Sequence, residues 1–195
     1  MRTKAYGKKT FHLDVVAVKL DPMFKLYSED RIHTPGDVAR LAYQAIGTLD
    51  REAIAVFNIR TDGRPLSCHI AGIGTVDSCI AHPRELLKAT LLTNATSIIL
   101  AHNHPSGELA PSRHDIDLTA RMAKLCNLMQ IALLDHVIVT GEPRFGYLSM
   151  FDQGILEKKS NGAVDVSDRY LARAAERGND YGKFYHGRDD IGQVR

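Results

Sequence analysis

Two hydrophobic periods alternate along this chain. Val38, Leu41, Ala42, Ala45 and Ile46 recur at helical spacing. Thr34-Pro35 just before them offers a cap and a first helical position, and Gly47 closes the helix. Glu52–Ile59 (EAIAVFNI) and Ser97–Ala101 (SIILA) are short, nearly unbroken apolar runs, the pattern of strands buried on both faces. Thr61-Asp62-Gly63-Arg64 predicts a turn, because Asp-Gly favours positive φ, and Pro65–Ile73 returns as a second strand. Pro83–Thr93 predicts a helix with Leu86, Leu87, Thr90 and Leu91 on one face. Ser112–Leu128 predicts a longer one, with Ile116, Thr119, Ala120, Ala123 and either Leu125 or Cys126 inward. Ala132–Leu134 and His136–Val139 read as strand on either side of Asp135; Gly141-Glu142-Pro143 turns, and Tyr147–Met150 gives a last short strand. Near the start, a basic arm leads into a predicted strand at Phe11–Leu20.

The pattern fades beyond Leu156. The stretch from there is polar and mixed in charge, with one short helix predicted over Val166–Glu176 carrying Tyr170, Leu171 and Ala174, and a mobile tail after it. The chain is thus expected to comprise an extension (1–33), a main domain (34–156) and a polar tail (157–195). Of its 195 residues 44% are hydrophobic and 25% charged, enough to bury a core and to exclude a wholly disordered chain. No apolar run reaches the ~18 residues of a membrane span. No apolar segment follows the basic start, so the expected setting is the cytoplasm. Three scattered cysteines, Cys68, Cys79 and Cys126, argue against a disulfide framework or a thiolate zinc site. A net charge of +2 makes no general case for nucleic-acid binding, which would need a local basic patch.

Candidate chemistry concentrates in His102-x-His104, followed after seven residues by Ser112-x-x-Asp115. Side chains two apart in extended backbone share a face, so two imidazoles at the end of a buried strand can converge on one ion. Asp115 comes from the first turn of the next helix, and the Pro- and Gly-rich loop between reverses the chain. Two histidines and one carboxylate leave a fourth zinc position for water, as hydrolytic sites require. A nearby carboxylate must then take the proton. Spacing alone does not choose it. Glu52, which heads a strand, is preferred over Glu108 in an exposed-looking loop and Glu85 on a helix surface. Ser112-x-x-Asp115 reads equally well as a capping box, and Ser112 can cap the helix and face the metal at once. His136 reads as a buried or supporting histidine beside Asp135; His69, His82 and His114 read as surface or packing residues.

Together, Glu52, His102-Asn103-His104-Pro105-Ser106-Gly107 and Ser112-x-x-Asp115 resemble the JAMM motif, also called JAB or MPN-plus, and more narrowly its RadC-like branch. LDREAIAVFNIRTDGRP, GTVDS, HPRELLKATLLTNATSIILAHNHPSG, PSRHDIDLT and LLDHVIV carry the likeness over roughly Thr34 to Ile155. The resemblance implies an α/β (α+β) fold, a mixed β-sheet flanked by helices, similar to that of cytidine deaminases. It implies Zn2+ held by His102, His104 and Asp115, Glu52 as general base, and Ser112 helping to stabilise the oxyanion. It implies a zinc metallopeptidase whose substrate is a protein or peptide, in the wider family often the end of a ubiquitin-like protein. The alternative it leaves open is a metal-binding module in DNA repair or mobile-element biology without proteolysis. RadC-like proteins usually carry a helix-hairpin-helix module, whereas residues 1–33 read as strand and loop. A deaminase is disfavoured, since that chemistry needs H-x-E with P-C-x-x-C and no CxxC occurs.

Overall fold

The computed structural model describes residues 17, 20–27, 31–74, 81–141 and 145–176. Among the described residues five strands, β1 (Ala53–Ile59), β2 (Pro65–Ile73), β3 (Ser97–Asn103), β4 (Ala132–Thr140) and β5 (Gly146–Ser149), form one sheet in the order β2-β1-β3-β4-β5. Their neighbours pair antiparallel except β3 and β4, which run parallel and are joined through helix α3 (Arg113–Leu128). This is the expected mixed sheet flanked by helices. Among the described residues no helix is long and apolar enough to cross a membrane.

The central strands β1 and β3 are buried along their whole length. Their alternate residues serve two cores. Ala55, Phe57, Ile59, Ile99 and Ala101 pack with helix α1 (Pro35–Ala42) on one face. Ile54, Val56, Ile98 and Leu100 pack with α2 (Pro83–Leu92) and α3 on the other. Burying a large aliphatic side chain contributes ~1.5–3 kcal/mol, so the two interleaved sets hold the strand registers firmly. Helix α1 continues into a wide turn over Tyr43–Gly47, where a Cβ on Gly47 would stand 2.4 Å from the Tyr43 ring.

Several expectations change. Strand β3 runs two residues further than SIILA, taking in His102 and Asn103. On α2, Leu91 is half exposed and Ala89 takes its inward place; on α3 it is Cys126, with Leu118 and Met122, that is buried. Strand β4 is continuous, and its irregularity is at Leu134: Ile98 pairs with Leu133 and Ile99 with Asp135, which leaves Leu134 as an extra, exposed residue. Such a bulge shifts the in-and-out alternation by one.

The segment read as a polar tail is structured as far as Glu176. Strands β6 (Leu156–Lys158) and β7 (Val164–Val166) form a hairpin, followed by α4 (Asp168–Glu176). Leu156, Val166 and Leu171 join Ile116, Ala120 and Met150 in a third core on α3. With Val164 and Tyr170 packed against them, these side chains dock a segment whose composition is otherwise polar. The Phe11–Leu20 strand lies outside the described residues except Ala17 and Leu20, which are in no strand. The GTVDS segment beyond Gly74, Cys79, the turn at 142–143 and residues 177–195 also lie outside them.

Candidate metal centre

His102 is the sixth residue of β3 and sits on the α3 face, in step with Ile98 and Leu100. His104 follows just past the strand end, where its backbone N–H donates to the Val139 carbonyl at 2.9 Å. Both rings are buried. Asp115 arrives from the first turn of α3, held by a reciprocal cap. The Ser112 backbone N–H donates to Asp115 Oδ2 at 2.7 Å, the Ser112 hydroxyl donates to the same oxygen at 2.6 Å, and Asp115 N–H donates back to Ser112 Oγ at 3.2 Å.

These elements bring His102, His104 and Asp115 together, with one ligand atom of each within 4.8 Å of the others. The Nε2 atoms of the two histidines are 2.8 Å apart, and they lie 3.2 and 3.6 Å from the Asp115 oxygens. Donors bound tetrahedrally to zinc at ~2.0–2.1 Å stand about 3.3 Å apart, a value those separations bracket. The donor set fits a divalent ion of the first transition row, and two imidazoles with one carboxylate can hold one. His104 is already oriented as a ligand. Its Nδ1–H donates to the Glu108 carbonyl at 2.6 Å, which directs the Nε2 lone pair into the cleft.

The cleft favours positive charge. Burial, the largest influence on Asp115, pushes its carboxyl up, but the facing imidazoles of His102 and His104 and the Ser112 hydroxyl outweigh it and hold the group well below the usual carboxylate range. Burial pulls His104 down, but Asp115, the Glu108 carbonyl and the charge of Glu52 together raise it. His136, wholly buried behind His102, is pushed down to about 3 by desolvation and stays neutral.

Glu52 stands immediately before β1. Ile54 pairs with His102, so the antiparallel register carried two residues further sets Glu52 opposite His104. The two residues line one cavity of about 820 Å3, together with Asp50, Glu108, Ser112 and Gly141. Glu108 therefore shares the cavity, with its side chain accepting from Ala110 N–H at 3.0 Å. Glu85 is on α2, ion-paired with Lys88, and does not line it. The Ser112 hydroxyl is directed at Asp115. His82 and His114 are exposed, and His69 is half-buried on β2.

Two supporting residues, Asn103 and Thr119, had no role assigned from the sequence. Asn103, between the two histidines but on the opposite face of β3, accepts from Ala53 N–H at 2.7 Å and donates to the carbonyls of Arg51 at 3.0 Å and Leu49 at 3.4 Å. It thereby clamps the segment that carries Glu52. Thr119 bonds His136, and His136 bonds His102. The available signal was a polar residue in an otherwise apolar buried run, Asn103 on the strand and Thr119 one helical turn after Asp115. Asp135 lies away from the cleft, accepting from the Ser149 hydroxyl at 2.5 Å and Phe151 N–H at 2.9 Å.

The chain has relatives among known proteins. The chain is 42% identical over 125 residues to a UPF0758 protein of Rubrobacter xylanophilus, covering 64% of this chain and 53% of that one. It is 36% identical over 149 residues to a UPF0758 protein of Desulfitobacterium hafniense, covering 76% and 63% respectively. A UPF0758 protein of Clostridium botulinum is 38% identical over 141 residues, covering 71% and 60%. The chain thus spans between about half and two thirds of the length of these relatives. Residues 32–155, which contain the whole cleft, match the model of the RadC-like JAB domain, and the chain belongs to that family.

Proposed function

We propose that this protein is a zinc-dependent hydrolase of the JAMM type that cleaves a peptide or isopeptide bond. The observation that carries the reading is the convergence of His102, His104 and Asp115 on one point beside a cavity that Glu52 also lines. The three side chains would hold the ion, and the chemistry it would supply when bound is the acidification of a water molecule and the polarisation of the substrate carbonyl. Glu52, opposite His104, accepts the proton given up by the attacking water and returns it to the leaving amine, while Asn103 clamps the backbone on either side of it. Ser112 contributes by turning its hydroxyl hydrogen from Asp115 toward the developing oxyanion. The substrate is a protein or peptide, and the tail of a ubiquitin-like protein is the class that the family resemblance favours. Cys68 and Cys126 are free thiols, a state suited to a reducing cytoplasm.

The test pairs metal analysis with turnover of a peptide library. The wild-type chain is expected to carry one zinc and to cleave members of the library. Glu52→Gln is expected to keep the zinc and to slow cleavage by ~10²–10⁴-fold, the usual worth of a positioned general base. Zinc held with no turnover of any library member would favour the non-proteolytic module. A Glu52→Gln variant as fast as wild type would remove Glu52 from the reaction.

A further inference from the structure

His136 is a buried titratable group that the proposed reaction does not use. Both of its ring nitrogens are in short contacts: Nε2 is 2.8 Å from His102 Nδ1, and Nδ1 is 2.6 Å from Thr119 Oγ1. The direction of these hydrogen bonds is set at the far end. Thr119 has one hydroxyl hydrogen, and its oxygen lies 2.5 Å from the Asp115 backbone carbonyl, which can only accept. Met150 Sδ, at 3.5 Å, is a much weaker acceptor for it. The Thr119 oxygen therefore receives a hydrogen from His136 Nδ1. With its ring hydrogen on Nδ1, His136 presents Nε2 as an acceptor, and the hydrogen of His102 Nδ1 closes that 2.8 Å contact. His102 is left with its Nε2 lone pair facing the cleft, as His104 is by its own bond to Glu108.

We propose that Thr119 and His136 form a relay that selects the metal-binding tautomer of His102. The relay closes on the backbone of Asp115, so one circuit of hydrogen bonds ties two of the three ligands together. Thr119 and His136 touch neither substrate nor ion and act as positioning residues. Two lone pairs 2.8 Å apart repel unless a cation lies between them, so the relay raises affinity for the ion by suppressing the tautomer that would hydrogen-bond the two rings directly. The relay presupposes the metal site proposed for His102, His104 and Asp115.

The experiment uses the full chain and zinc alone, with affinity measured against a chromophoric chelator. Thr119→Val keeps shape and removes the acceptor; it is expected to weaken zinc about tenfold. His136→Leu is expected to weaken it by ~10–100-fold, the usual cost of losing a partner behind a metal ligand. Thr119→Ser restores the hydroxyl and should bind within about threefold of wild type. The double variant Thr119→Val/His136→Leu should be no weaker than His136→Leu, because the threonine acts through the histidine. Nitrogen-15 imidazole spectra of the metal-free wild type should show His102 and His136 with hydrogen on Nδ1. Unchanged zinc affinity in Thr119→Val, additive losses in the double variant, or hydrogen on His102 Nε2 would each overturn the relay. A wild type that binds no zinc would instead overturn the metal site, and the imidazole spectra would still decide the relay. Should His136→Leu fail to fold, the contrast between valine and serine at position 119 carries the test.

Discussion

The same four-residue device opens two helices of this protein, and only one of them reaches the cleft. Thr34-x-x-Asp37 starts α1 and Ser112-x-x-Asp115 starts α3, each with a complete reciprocal cap. At α1 the carboxylate accepts from the backbone N–H groups of Thr34 at 2.8 Å and His33 at 3.0 Å, and pairs with Arg40 at the surface. At α3 it accepts from Ser112 and meets two buried imidazoles instead. The local geometry is nearly identical. What differs is the neighbour across the gap: solvent and an arginine for Asp37, the end of β3 for Asp115. A capping box is therefore no argument for or against a site, because capping engages one carboxylate edge and leaves the other free for whatever the fold presents.

The contrast breaks most sharply on paired amide substitutions. Asp115→Asn is expected to weaken zinc by more than about 100-fold, since a charged ligand is lost outright, while Asp37→Asn should leave zinc affinity at the wild-type value. Chelator competition on both variants checks this, and equal affinities would mean that α3 is capped and nothing more. A second expectation separates the ligands from the base. Asn103→Ala removes three hydrogen bonds and leaves the buried Ala53 N–H without its acceptor. It should cost ~2–3 kcal/mol in urea unfolding and slow turnover while zinc affinity stays within a few-fold of wild type. A loss of zinc equal to the loss of turnover would place Asn103 with the metal ligands rather than with Glu52.

The smallest expected effect belongs to the surface cap. Burial nudges the Asp37 carboxyl upward, but the Thr34 and His33 N–H groups, the Thr34 hydroxyl and Arg40 outweigh it and lower its pKa below 3.8. A carboxyl lowered on folding stabilises the protein fully above its unfolded value and ceases to as pH falls through its folded value. Wild type should accordingly exceed Asp37→Asn by ~0.3–1 kcal/mol near neutral pH, and the gap should close in acid. A gap that stays constant into strong acid would remove the carboxylate charge from the account of this cap.

Much of the frame was legible because burial leaves a one-dimensional trace. EAIAVFNI and SIILA are apolar throughout because β1 and β3 are covered on both faces. Val38 and Leu41 keep helical spacing because α1 presents one stripe to the sheet, and Ile46 in the wide turn after it joins the same core. The convergence of His102, His104 and Asp115 was legible too, since a strand end and a helix start each leave a local signature. The hairpin β6–β7 was not, because Leu156 and Val166 are single apolar residues whose value appears only against α3. Leu134 was not either: nothing in Leu133-Leu134-Asp135 says which residue bulges, and the bulge is what turns His136 toward His102.

Contacts between near neighbours thus wrote the elements, the two buried strands and the spacing of His102, His104 and Asp115 directly into the chain. Three choices came from packing at a distance: which carboxylate stands across from the histidines, which asparagine clamps it, and which way the buried His136 faces. Those choices depend on strand register and on one extra residue in β4. Register is set between segments some fifty residues apart, as Ala53 and Asn103 are, and no local pattern records it.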